Sequence, residues 1–403
     1  MNIENIFNIH EAFKLTDNGI PSTQSTWPRV SLSTSNLLCA IHRDDKSSSL
    51  ESMQSGSSKN EMKASKVTIV NANGKVVSRS RTIAEAAKIH PSKPIIALKS
   101  HNLFQVYNFE TKNLLSEVDS ALDVCFWCWA NEDTIMLVTE MSVYQWQVFT
   151  ERGEAEYVCH RLPRLNYTEV VNCAVDTHHR WYTVTGLIDQ RSQIEGVTQV
   201  YSAQYGVAQC IEAHTVTLIA HKYSASLHES VLLCTASRQL DSVTGKVHTI
   251  ELGSDAHHGM VPRLSSADLK FLPSKADEKR SVRAEYSQVL DFPVSIQADT
   301  SHCVLYIVSK FGRLFIAELE SSTILSQTQI CSHITFCSSL DSLSSLTVVN
   351  KASQVLRISI DWLSLIKQIE TVLKRPELAR RLQNSRGMEN VDLLMDDLCV
   401  ATI

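Results

Sequence analysis

Glycine and proline are scarce in this 403-residue chain, twelve and nine residues respectively, or roughly half of average usage. That scarcity excludes a collagen-like repeat and a disordered chain driven by those two residues. Long apolar runs are missing too: stretches such as Ile135 to Val138 fall far short of the roughly 18 residues a membrane-spanning helix needs. The N-terminal Met1-Asn-Ile-Glu-Asn-Ile-Phe-Asn-Ile-His10 has neither a basic segment nor a continuous apolar one, so no secretory signal is expected and the chain should remain in the cytosol. Charge of one sign is absent as well. With 38 basic against 43 acidic residues, for a net charge of −5, neither nucleic acid nor an anionic membrane surface is expected as the main partner. Eleven cysteines are scattered from Cys39 to Cys399; their odd number and the length of the chain argue for reduced thiols rather than a disulfide framework. The sequon Asn166-Tyr167-Thr168 then reads as a chance match.

What is present is short apolar segments of period two, divided by polar turns. Val67-Thr-Ile-Val70, Asn73-Gly74 and Lys75-Val-Val77 form a strong hairpin signal. Val143-Tyr-Gln-Trp-Gln-Val148 alternates as a half-buried strand does, and Val304 to Val308 with Leu314 to Leu319 flank the turn Lys310-Phe-Gly312. Central strands beginning near Ile135, Trp181, Leu232, Val304 and Leu346 recur at about 40 to 50 residues with one longer step, the period of a β-propeller blade. The long step contains the polar run Gly253 to Asp291, and Arg43 to Lys66 is Ser-rich and charged; both read as insertions. About 350 residues at about 50 per blade give seven blades, with six or eight also compatible with the period.

At Asp361 the pattern changes. Trp362, Leu365, Ile366, Ile369, Val372 and Leu373 keep helical spacing behind a plausible N-cap, Pro376 should end that helix and open the next, and Asn390 to Leu398 reads as a third. The expected division is a propeller over 1–360 and a helical linker over 361–403, the start of an α-solenoid. Three helices cannot bury a solenoid's faces, so the chain is expected to be the front of a longer protein.

No Walker A loop, dinucleotide glycine pattern, nucleophile elbow, zinc-protease motif or EF-hand loop occurs, so neither catalysis, a cofactor nor a metal is expected. Cys125-Phe-Trp-Cys128 has metal-like spacing, but on a strand residues three apart face opposite ways; packing is the expected role. The pairs His178-His179 and His257-His258 read as turns.

Phe126-Trp-Cys-Trp129, Thr134 to Thr139 and Val143 to Trp146 resemble the N-terminal domain of the clathrin heavy chain family. The resemblance extends to His90 to Lys99, Phe104 to Glu110, Trp181 to Gly186, Ile211 to His214, Asp291 to Val294, Lys310 to Gly312, Val349 to Leu356 and Val372 to Ala379. It implies a seven-bladed propeller followed by an α-zigzag that leads into the leg of the triskelion. It also implies a non-catalytic coat module that binds clathrin-box peptides of adaptor proteins between blades 1 and 2. The implied setting is the cytoplasmic face of coated pits and vesicles, in endocytosis and membrane traffic, with membranes reached only through adaptors, other heavy chains joined through the leg, and possible light chains. A propeller scaffold of another cytosolic assembly is the alternative.

Carried over by motif, the peptide-binding positions are Ile96, Gln105, Tyr107 and Lys112, together with Arg81, where the alignment shifts by one residue. Gln105 and Tyr107 share a strand face with Leu103 and Phe109. The amide can pair with an extended backbone and the ring offers an apolar plate, while Lys112 can meet an acid. The chain has Leu114 where relatives carry a second lysine and Leu103 where they carry threonine, so weaker selection for acidic peptides is expected. A second family groove maps near Glu169 and Val171, where an acid replaces the usual glutamine, and it is not carried over.

Overall fold

The computed structural model describes residues 6–43, 64–150, 153–190, 193–223, 229–240, 242–252, 263–271 and 291–385. Seven four-stranded antiparallel sheets follow one another along the chain and form a mainly β, seven-bladed propeller with two short helices behind it. Blade 1 consists of Val30–Leu32, Leu38–His42, Ser65–Val70 and Val76–Thr82. Blade 2 consists of Ala86–Ile89, Ile95–Ser100, Leu103–Asn108 and Leu114–Asp119. Blades 3 to 6 occupy 124–160, 169–212, 215–270 and 293–329. Blade 7 takes Thr335–Leu340, Leu346–Asn350 and Gln354–Ile360 from the end of the propeller, and Phe7–Lys14 from the start of the chain. The register runs from Phe7 opposite Ile360 to Lys14 opposite Gln354, so the two ends of the ring are held by one ladder.

The apolar pattern follows from position within a blade. A middle strand has a neighbouring blade on each face and needs apolar residues on both: Val304, Leu305, Tyr306, Ile307 and Val308 are all buried. An outermost strand is wet along one edge and reads polar; Leu114–Asp119 buries only Val118. Between blades the side chains interlock. Ile95, Ala97, Phe104 and Val106 of blade 2 meet Trp127, Ile135, Leu137 and Trp146 of blade 3, with Phe104 edge-on to Trp127 at 5.4 Å.

The strands near Ile135, Trp181, Leu232, Val304 and Leu346 are all second strands of their blades, which is why their spacing counted blades. The run Gly253 to Asp291 is not all insertion: Leu264–Lys270 is the fourth strand of blade 5, with Thr244 opposite Lys270 and Ile250 opposite Leu264. Its Ser, Asp and Lys residues, proper to an outer strand, hide the alternation that buries Leu269. Most of the Arg43 to Lys66 segment lies outside the described residues, as do His257-His258 and the helix expected over Asn390 to Leu398.

Cys125 and Cys128 part company. Cys125 is exposed, whereas Cys128 packs into the blade 3–4 cluster with its Sγ 3.6 Å from the Cys173 carbonyl. Among the described residues no group of three or more His, Cys, Asp or Glu could hold a metal. His178 and His179 do sit in a turn, closed by Asp176, whose carboxylate accepts from the His178 and Arg180 amides.

Behind blade 7, α1 (Trp362–Thr371) starts where Asp361 accepts from the amides of Leu363 and Ser364. It stops short of Pro376; Lys374 takes a left-handed conformation (φ 54°) and the proline opens α2 (Pro376–Ser385). Leu365, Ile366 and Ile369 of α1 and Leu378, Ala379 and Leu382 of α2 share one core with Tyr306, Leu314, Leu346 and Ile358 of blades 6 and 7. Trp362 stacks on His302 at 4.6 Å, and Arg381 pairs with Glu320 (3.1 Å) and Glu318 (3.6 Å) of blade 6. A cavity of about 490 Å³ lies beside this joint, lined by Phe7, Lys270, Leu325, Gln327, Gln368 and Leu373 among others.

Candidate functional site

The floor between blades 1 and 2 is apolar. Cys39, Ile41, Val67 and Ile69 from blade 1 meet Ala84, Ala87, Ile89, Ile96 and Phe109, with Leu98 and Tyr107 packed against them. Ile96 is buried at 5% exposure and stands opposite Tyr107 in the ladder, so it supports the ring from below rather than meeting solvent. Leu98 pairs with Gln105 and Ser100 with Leu103. Since opposed residues share a face, Leu103, Gln105 and Tyr107 all look toward blade 1. Each is partly exposed.

Gln105 Nε2 donates to Glu117 Oε2 at 3.1 Å, which orients the carboxamide across the rim of the groove. Lys112 occupies the turn after this strand in a left-handed conformation (φ 62°), its amide donating to the Asn108 carbonyl at 2.8 Å. The Asn108 side chain accepts from the amides of Glu110 and Thr111 and fastens the turn. Lys112 is thus an exposed cation at the mouth of the groove, beside Leu114, which pairs with Tyr107 and is 45% exposed.

Arg81 stands elsewhere. It pairs with Lys66, and Val67, which faces blade 2, pairs with Ser80. Alternation therefore sends Arg81 to the face turned away from blade 2, beside Arg79, whose guanidinium donates to the Asn18 carbonyl at 2.6 Å. Ser78, Ser80 and Thr82 line the blade 1 wall instead. The structure brings Ile96, Gln105, Tyr107 and Lys112 together and leaves Arg81 outside that group.

The reason is a β-bulge. Val70 pairs with Val76, but Ile69 pairs with Ser78, so Val77 is extra and inverts every later residue of the outer strand. Regular pairing from the Asn73-Gly74 turn would have placed Arg81 on the groove side. Blade 2 repeats the device: Tyr107 pairs with Leu114 while Val106 pairs with Ser116, leaving Leu115 unpaired. Here the bulge brings a residue in, turning Glu117 into the groove where a regular hairpin would turn it out. Sequence alternation alone misses Glu117 for this reason.

No family model matches the chain. It is similar to clathrin heavy chain of Drosophila melanogaster, 29% identical over 332 residues that cover 81% of this chain, and to the same extent to clathrin heavy chain 2 of Homo sapiens. Clathrin heavy chain 1 of Arabidopsis thaliana is 28% identical over 344 residues. In each case the chain spans 19% of the relative's length. Among solved structures, one titled as the crystal structure of the mitotic checkpoint complex superposes with a TM-score of 0.53 at 13% identity, covering 87% of this chain and 93% of that one; this likeness speaks to the fold alone. The curated relatives and the seven blades agree with the motif resemblance to the N-terminal domain of clathrin heavy chain.

Proposed function

We propose that this chain is the terminal domain of a clathrin-type heavy chain, comprising a propeller over 1–360 and a linker over 361–403 that leads into a leg. On this reading it is a non-catalytic module of a cytoplasmic vesicle coat that captures short apolar peptides of adaptor proteins between blades 1 and 2. Other heavy chains, joined through the leg, and light chains would be its further partners, with the membrane reached through adaptors. The observation that supports the reading best is the arrangement of Leu103, Gln105 and Tyr107 on the blade 2 face toward blade 1, with Lys112 at its end. An extended peptide could rest two or three aliphatic side chains on this rim while its backbone exchanges hydrogen bonds with the Gln105 amide.

Three such side chains are worth roughly 1.5–3 kcal/mol each, against an association cost of at least about 4 kcal/mol and the ordering of a flexible segment. The upper end of that range, with about 1 kcal/mol from hydrogen bonding to Gln105, leaves about −5 to −6 kcal/mol, or tens to hundreds of micromolar, and many domains on one coat would multiply it by avidity. Titration of a labelled Leu-Leu-x-Leu-Asp peptide by fluorescence anisotropy tests this. Gln105→Ala should cost about 1 kcal/mol, and Lys112→Glu should weaken binding more at low salt than at high. Equal affinity for wild type and both variants would refute the groove assignment.

A further inference from the structure

The rim of the blade 1–2 groove is not uniformly charged. At one end stands Lys112, exposed in its turn. Along the same face follow two carboxylates: Glu117 opposite Gln105 and Asp119 opposite Leu103. Both are exposed, and among the described residues neither is joined to a cation by an ion pair. Glu117 has a hydrogen bond from the uncharged Gln105. The facing wall of blade 1 carries Ser78, Ser80 and Thr82, and the bulge at Val77 has turned Arg81 and Arg79 to the other side. Among the described residues, no cation besides Lys112 therefore stands on either wall beside the two acids, and the positions next to Lys112 are the apolar Leu114 and Leu115, 45% and 44% exposed.

Resting on the reading of this groove as a peptide site, we infer that it selects extended aliphatic peptides that carry a cationic side chain beyond the aliphatic anchors. Glu117 is the specificity-determining residue and Asp119 supports it. A strand advances about 3.3 Å per residue, so Glu117 lies about 7 Å along the face from Tyr107, and Asp119 about 13 Å. The cation then belongs roughly two to four residues from the side chain seated on Tyr107, while any acid belongs at the Lys112 end. A peptide with acids at both ends meets attraction at one and repulsion at the other. A Lys or Arg opposite Glu117 meets a carboxylate already oriented by the Gln105 amide.

The test uses labelled peptides with a Leu-Leu-Ser-Leu core, Asp at one flank and Lys, Ala or Glu at the other, made in both sequence orders so that chain direction does not matter. Anisotropy titrations at low salt against the full chain should rank Lys above Ala above Glu, with about a three- to tenfold span between the extremes. Glu117→Gln should flatten the ranking and Glu117→Lys should invert it. The span should also shrink in 0.5 M salt. Binding of all three peptides with equal affinity, or a preference for Glu in wild type, overturns the inference while leaving the groove as a peptide site. Failure of every peptide to bind overturns both.

Discussion

At the residue scale, the groove side chains are supported by a rim of hydrogen bonds, and single buried groups elsewhere tune the stability of the scaffold. His214 is the clearest. It is 3% exposed, its Nε2–H donates to the Ile194 carbonyl at 2.8 Å, and its Nδ1 accepts from the Arg238 amide at 3.2 Å. Both contacts suit the neutral ring, and burial pushes its pKa from 6.5 down to about 4. A lowered imidazole pKa means that the unfolded chain takes up a proton before the folded one does. The contribution of His214 is therefore complete above pH 6.5 and fades as pH falls toward 4. Between pH 7.5 and pH 5 the loss is about 2 kcal/mol. Urea unfolding of wild type and His214→Gln at the two pH values should show the variant losing less by about that amount; parallel losses would contradict the assignment. His90 makes the same pattern of contacts, with Nε2 toward the Glu132 carbonyl and Nδ1 accepting from Ser92 and Lys93, and burial lowers its pKa as well.

At the element scale, two contacts fix the start of the helical linker, each with its own expected cost. Asp361 caps α1; Asp361→Ala should remove about 1 kcal/mol. Trp362 is only partly buried on His302, so Trp362→Ala should cost about 3 kcal/mol, the low end for truncating an aromatic side chain. Both losses are local. They should appear as faster tryptic cleavage after Lys374, in the turn between the helices, while the melting of the propeller stays put. Unchanged cleavage in both variants would mean that the hydrophobic cluster of Leu365, Ile369 and Leu382 holds the linker without them. Elements of this kind were also the most legible in the sequence. The helix start at Asp361 and the opening of α2 at Pro376 were readable from capping and proline chemistry, and the middle strands from unbroken apolar runs. The outer strands were not. Leu264–Lys270 looks like loop because one edge faces water, and Arg81 and Glu117 change faces because of bulges at Val77 and Leu115, which leave no signal in alternation.

At the scale of the whole molecule, the ring stays shut because the first strand completes the last blade. Removing residues 1–14 takes away that ladder and the buried Ile6 and Phe7, and exposes Gln354–Ile360 as an open edge. Calorimetry of the truncated chain should show a loss of about 3–6 kcal/mol from the two side chains alone, with a tendency to associate. An unchanged transition would mean the ring does not depend on this closure. The number of blades was readable to within one, because every blade repeats one strand plan. The contents of the groove were readable only where no bulge intervened, as for Gln105 and Tyr107. The central claim, that apolar peptides dock between blades 1 and 2, is tested most directly by methyl NMR of the labelled chain titrated with a Leu-Leu-x-Leu-Asp peptide. The account predicts shifts at Leu98, Leu103 and Leu114 that saturate together at one dissociation constant of tens to hundreds of micromolar. Shifts confined to Leu325 and Leu373 around the cavity beneath the linker, or no shifts at all, would contradict it.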